Sequence, residues 1–243
     1  MSGSSSRSSF LFRSALLFAV ALITICGVFL YGLYERYVTQ RRDRELRMFA
    51  TIGTIANYSD VMGEIPKAVY FDESGSAIRS WRLEILRYSP MSLAVPNENV
   101  LWSDNANAAI TLKPIWMYCF HSPRDKKSCD TNIVAITGNG TAFQPGNERH
   151  LRSLPRDSIV LIEVDKSGIP WAAPGDLDVD KIPVTLRLGS GGGGVHVAFA
   201  DHVIWCLRSD VPLSSLGMFF RIKDAERFDR EAVLGEYILY RHE

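Results

Sequence analysis

A chain of 243 residues, 47% of them apolar and 11% aromatic, has the material for a packed core. That composition excludes a disordered, collagen-like or low-complexity protein. Lys and Arg number 27 and Asp and Glu number 27, a balance that argues against a dedicated nucleic-acid binder.

The first element is apolar. Ser14 to Tyr34 (SALLFAVALITICGVFLYGLY) carries no charge over 21 residues. As a helix it spans about 32 Å, against a hydrocarbon core of about 30 Å. Eleven of these residues are Leu, Ile, Val or Phe, which favours insertion by roughly 3 to 7 kcal/mol. Tyr31 and Tyr34 lie where an aromatic interface belt would be. A cleaved signal peptide has a shorter apolar core and ends at a small-x-small site, which Gly32-Leu33-Tyr34-Glu35 does not provide. The reading is a short tail (1–13) and an uncleaved transmembrane helix (14–34). Arg7 and Arg13 precede the span, whereas Arg36, Arg41, Arg42, Arg44 and Arg47 follow it. Taken alone, that bias favours a cytoplasmic C-terminal side. The cluster at 41–47 reads as a solvated or headgroup-facing collar.

Residues 35–62 continue as a helical stalk without Pro. Leu46, Phe49, Ile52 and Ala56 recur at three- and four-residue spacing and predict its buried stripe. Gly63 and Pro66 end it. From 63 to 243 the pattern is short and β-rich. KAVYF (67–71) is a strand running into the turn residues Asp72–Gly75. Ser80–Tyr88 is a short helix capped by Ser80, with Trp81, Ile85 and Tyr88 on one face. The further strand candidates are IWMYCF (115–120), NIVAIT (132–137), SIVLIEV (158–164), VTLRL (184–188), VHVAFA (195–200) and VIWCL (203–207). Residues 195–207 predict a hairpin with a two-residue type I′ turn at Asp201-His202. Pro212–Gly217 opens a small terminal helix. One long helix followed by strands is an α+β fold with a mainly antiparallel sheet.

No segment carries a catalytic signature. Gly189–Gly194 fits G-x-G-x-x-G, yet Val195-His196-Val197-Ala198-Phe199 alternates as a strand. The helix N-terminus that would meet a phosphate is therefore missing. Cys119, His121 and Cys129 offer zinc-type ligands without a fourth to complete the set. A Cys119–Cys129 disulfide closing that loop fits an oxidising compartment better. Cys26 and Cys206 read as small apolar fillers. Neither a G-x-S-x-G elbow nor an H-E-x-x-H helix is present. No catalytic, cofactor-binding or metal residue is assigned.

Five stretches, taken in order, resemble a known family. They are IANYSDVMGEIPKAVYFDESG (55–75), SWRLEILRY (80–88), NIVAITGNGTAF (132–143), DSIVLIEVDKSGIPWAAPGDLDVD (157–180) and GGGVHVAFADHVIWCL (192–207). The family is the domain-of-unknown-function family fifteen-fifty-nine, a pilin-like group abundant in planctomycete bacteria. The matching positions include Trp81 of Ser-Trp-Arg, then Pro170, Trp171, Pro174 and Asp176 of a Pro-Trp-x-x-Pro-x-Asp-Leu loop, and Asp201 of the last hairpin. The resemblance implies structural roles for these residues. It also implies a pilin-like domain outside the cytoplasm, against the bias of the five arginines. The prepilin signal of many relatives is degenerate here. Ser9-Phe10-Leu11-Phe12-Arg13 stands in its place and no acidic residue follows before Tyr34, which argues against prepilin processing and filament assembly.

The implied role is a membrane-anchored cell-envelope protein, a structural or interaction module without catalysis or cofactor. Its partners would be the lipid bilayer and other envelope or pilin-like proteins, with no nucleic acid. The alternatives are a tethered component of a type II secretion or type IV pilus-like machine and, behind it, an unrecognised envelope hydrolase.

Overall fold

With no Pro between Ser5 and Met62, the chain forms one helix of 58 residues, α1 (Ser5–Met62). It stops where Gly63 takes φ +81° and its N–H returns to Ser59 O at 2.9 Å, a left-handed cap that glycine adopts without strain. The structure is a computed structural model that describes residues 5–89, 96–97, 99–119, 130–146, 148–183, 186–189 and 193–242, with the side chains of α1 described at Phe18 and from Ala21 onward.

The chain divides into two units, Met1–Asp43 and Arg44–Glu243. The first is helix, and its apolar side chains, Leu22, Ile23, Ile25, Val28 and Phe29 among them, are exposed. From Ala21 onward α1 is long and apolar enough to cross a membrane, a property that a signal sequence shares.

In the second unit, residues 44–62 of α1 are followed by β1 (Val69–Phe71) and β2 (Ala77–Ser80), an antiparallel pair separate from the main sheet. Next come α2 (Trp81–Glu84), tightening into a 3-10 turn over Ile85–Tyr88, and α3 (Ala108–Thr111). The main sheet takes β3 (Ile133–Thr137), β4 (Ile159–Glu163), β5 (Leu177–Asp178), β6 (Val195–Phe199) and β7 (Ile204–Leu207). Three short helices, α4 (Leu213–Gly217), α5 (Ile222–Ala225) and α6 (Arg230–Leu234), lead to the edge strand β8 (Ile238–His242). Strand order is β5-β3-β4-β6-β7-β8. The β3–β5 pair is parallel and the others are antiparallel. The result is an α+β, pilin-like arrangement, with residues 44–62 of the N-terminal helix packed on a mixed, mostly antiparallel six-stranded sheet.

Both faces of the sheet are covered, which explains why its strands read as near-continuous apolar runs. On one face Met48, Ile52 and Ile55 of α1 pack with Ile133, Ala135, Leu161, Ala198 and Ile204. On the other, Val134, Ile136, Ile162, Val197 and Trp205 lie under Leu216, Phe219 and Leu234. The β4–β6 register shifts between Ile159 and Leu161. Consecutive Val160 and Leu161 consequently both join the core beneath α1.

Several local expectations give way. The buried stripe of the stalk is Arg44, Met48, Thr51, Ile52, Ile55 and Tyr58, whereas Leu46 and Phe49 are 45% and 46% exposed. Thr51 and Thr54 can be buried because their hydroxyls donate to the carbonyls of Arg47 and Ala50 at 2.8 and 2.7 Å. Arg44 and Arg47 do not belong to a solvated collar. Arg44 is buried against Glu163, and Arg47 donates to the carbonyls of Trp116 and Cys119, each at 2.5 Å. Residues 115–119 are therefore not a strand but turns, in which Cys119 N–H returns to Ile115 O at 3.1 Å and the chain lies against Arg47.

Ser80 does not cap α2 with its side chain, since its hydroxyl donates to Ala172 O at 3.1 Å instead. Of VTLRL, residues 184–185 lie outside the described residues and Leu188 forms an isolated bridge with Val164. The β6–β7 hairpin forms, but its turn is not type I′. His202 N–H donates to Phe199 O and Phe199 N–H to Val203 O, both at 3.0 Å. Among non-glycine residues described, only His202 has positive φ, at 70°. That is a three-residue loop, a type I turn followed by a left-handed residue. Val195, Val197, Phe199, Trp205 and Leu207 all face the core opposite α1.

Candidate functional site

The two sharpest sequence segments meet in one buried node. Asp176, just before β5, keeps its side chain 2% exposed and accepts from Trp81 Nε1 (3.1 Å), Arg82 Nη1 (3.0 Å) and the backbone N–H of Ala135 (2.8 Å). Arg82 also donates to Gly175 O at 2.6 Å, and its own carbonyl accepts from the Tyr118 hydroxyl at 2.9 Å. Burial pushes the Asp176 carboxyl up, while Arg82, Ala135 N–H and Trp81 pull it down. Burial likewise pushes the Tyr118 hydroxyl well above its ordinary range.

Trp171 is buried, so it offers no exposed aromatic surface for a ligand. It stacks on Tyr118 with centroids 5.7 Å apart, and its indole N–H donates to Lys113 O at 2.8 Å. Pro170 forms an isolated bridge with Asp130, and Pro174 is half-buried. Asp201 stands apart from this node. Its carboxylate holds Arg230 through two bonds of 3.0 and 2.6 Å, and that guanidinium lies over Phe199 and Trp205 at 4.5 and 5.1 Å. These contacts tie elements of the fold together.

Sequence reading missed a second constellation, because its members lie on four different strands. The registers place Glu163 of β4 beside His196 of β6, His196 opposite Cys206 of β7, and Cys206 opposite Tyr240 of β8. All point to the α1 side of the sheet. Arg44 of α1 reaches Glu163 Oε1 at 3.2 Å. His196 Nδ1 lies 2.5 Å from Glu163 Oε2 and His196 Nε2 lies 2.5 Å from the Tyr240 hydroxyl. The signal available in the sequence was the period-2 alternation, which marks Glu163, His196 and Cys206 as polar or reactive residues inside apolar strands.

Burial would lower the pKa of His196, but hydrogen bonds and charge from Cys206 and Glu163 outweigh it and raise it to about 9. At neutral pH the imidazole is therefore protonated, with both nitrogens donating. Gly193 closes the row from the loop before β6. A Cβ there would collide with the Arg44 guanidinium, and its carbonyl accepts from the Cys206 thiol at 3.3 Å. A thiol, an imidazole and a carboxylate are also the residue types of nucleophilic catalysis. Here both ring nitrogens are occupied, the thiol donates to a carbonyl, and Glu163, His196 and Cys206 are 0% exposed. The arrangement binds helix to sheet rather than presenting a nucleophile.

The remaining sequence candidates are placed as follows. Cys119 is buried in the core beneath α1, while His121 and Cys129 lie outside the described residues, the Cys119–Cys129 pairing with them. Among the described residues no group of three His, Cys, Asp or Glu side chains gathers to hold a metal ion. The glycine-rich segment leads directly into β6, with residues 190–192 outside the described set. An open groove of about 420 Å³ between Pro155–Asp157 and Ala225–Asp229 carries charges of both signs. No protein-family model matches the chain, and neither a curated protein nor a solved structure matches it.

Proposed function

We propose that this chain is a single-pass, membrane-anchored cell-envelope protein whose α+β domain, outside the cytoplasm, serves as a structural or interaction module without catalysis. The observation that carries the reading is the change in character along α1. Apolar side chains from Leu22 to Val38 are exposed, and from Arg44 onward the same helix has a buried face packed on a sheet. An exposed apolar run of that size has one ordinary solvent, the hydrocarbon of a bilayer.

Three further points support it. The side chains a hydrolase would use at Glu163, His196 and Cys206 are sealed beneath α1. Arg44 and Arg47 are used by the folded domain, so their presence has a reason other than membrane orientation. The ordered resemblance to the pilin-like family fifteen-fifty-nine points to the same role, with the domain translocated.

The test is the intact mass of the protein extracted from its native membranes. Retention in the membrane after alkaline carbonate washing, with residues 14–34 still present, is the expected result. A soluble product beginning after Tyr34 would make the apolar run a signal sequence and remove the anchor.

A further inference from the structure

We propose that Arg36, Arg41 and Arg42 form a basic ring around α1 that binds the phosphates of anionic phospholipids and holds the anchor at a fixed depth, an inference that rests on residues 14–34 being a membrane anchor.

From Arg36 to Arg42 the helix carries three arginines and no acidic residue. At 3.6 residues per turn they stand about 140°, 100° and 120° apart around the axis. The charge therefore encircles the helix instead of lying on one face. A stripe that served a protein partner would keep to one side, whereas lipid headgroups meet a single spanning helix from every direction. Arg36 and Arg42 are exposed and Arg41 is half-buried.

The ring follows the apolar run directly. Arg36 lies about 3 Å and Arg42 about 12 Å beyond Tyr34 along the axis. The headgroup layer adds about 5 to 8 Å on each side of the hydrocarbon. Each Cα–Cβ bond of a helix leans toward its N-terminus, which here is the direction of the bilayer. The long stems of Arg41 and Arg42 can thus carry their guanidinium groups back to the headgroups, where each can grip a phosphate through two parallel hydrogen bonds. Exposed Tyr31, Tyr34 and Tyr37 supply an aromatic belt beside the ring.

Glu35 and Asp43 flank the ring. Glu35 is turned back to Tyr31, whose hydroxyl donates to it, and Asp43 follows on the domain side, so the segment keeps a net positive charge. The next arginines serve the domain. Arg44 meets Glu163 at 3.2 Å and Arg47 meets two backbone carbonyls.

The test uses the full chain reconstituted in phosphatidylcholine vesicles that carry a spin-labelled probe lipid, either phosphatidylcholine or the anionic phosphatidylglycerol. Electron paramagnetic resonance reads the fraction of each probe held at the protein. In low salt the anionic probe is expected to be favoured by at least about three-fold, and the preference should shrink in about 0.5 M salt. The triple variant Arg36→Gln, Arg41→Gln, Arg42→Gln should enter the vesicles as well as the unsubstituted chain and show no preference. Should it fail to fold, the double variant Arg36→Gln, Arg42→Gln should lose at least half of the preference. Equal association of the two probes with the unsubstituted chain, or a preference kept in the variants, would overturn the ring. A chain that does not float with the vesicles at all would overturn the anchor, and the ring with it.

Discussion

The indole N–H of Trp81 meets the carboxylate of Asp176 at 3.1 Å, joining α2 to the loop before β5 across 95 positions of sequence. Arg82 enters the same carboxylate, and its side chain is fully buried. Removing the acceptor would leave a buried guanidinium without its charge partner. Asp176→Ala should therefore cost about 3 to 5 kcal/mol in denaturant unfolding, and Trp81→Phe about 1 to 2 kcal/mol. A loss under 1 kcal/mol for Asp176→Ala would mean the node is peripheral to stability.

The face of α1 that packs on the sheet can be read by a pair of truncations. Ile52 is 0% exposed and Leu46 is 45% exposed. Ile52→Ala should cost about 2 to 5 kcal/mol, whereas Leu46→Ala should stay within about 0.5 kcal/mol. Equal effects would contradict the packing described.

His202 holds φ at +70°, a conformation that costs an ordinary L-residue on the order of 1 kcal/mol. Glycine removes that strain but adds freedom to the unfolded chain. The net expectation for His202→Gly is a gain of about 0.5 kcal/mol, seen as a melting temperature higher by about 1 to 2 °C. A clear drop would show that the imidazole makes a favourable interaction of its own.

His196 also predicts a pH dependence. Its folded pKa is raised to about 9 from an ordinary 6.5. The associated stability is complete below about pH 6.5 and is lost as pH rises through 9. The full swing is about 3 kcal/mol. Urea unfolding at pH 6 and pH 9.5 should show the decline, and His196→Gln should flatten it. A profile of the same slope in that variant would place the alkaline sensitivity elsewhere.

Strands buried on both faces were legible in the sequence because Ile, Val and Leu fill them. NIVAIT became β3 and SIVLIEV became β4. The edge strand β8 was not legible, since Tyr240, Arg241 and His242 interrupt the apolar pattern. Neither was the two-residue β5, whose only sign is a single ladder beside β3. The stalk stripe was misread because Thr51 and Thr54 satisfy their hydroxyls within the helix and so count as apolar. At the node, the positions of Trp81, Trp171 and Asp176 stood out as motif residues, but only the fold shows that Trp81 meets Asp176 and that Trp171 stacks on Tyr118. The Glu163–His196–Cys206–Tyr240 row depends on strand register across four strands, which no local pattern encodes.

The central claim is that the domain lies across the membrane from the cytoplasm, held by an uncleaved helix, and Ser74 offers the direct measurement. It is exposed in the β1–β2 turn. Intact, reduced cells bearing Ser74→Cys would be treated with a membrane-impermeant thiol reagent, with the unsubstituted chain as background. The account predicts labelling of Cys at this position without lysis. Labelling that appears only after lysis would place the domain in the cytoplasm and contradict the account.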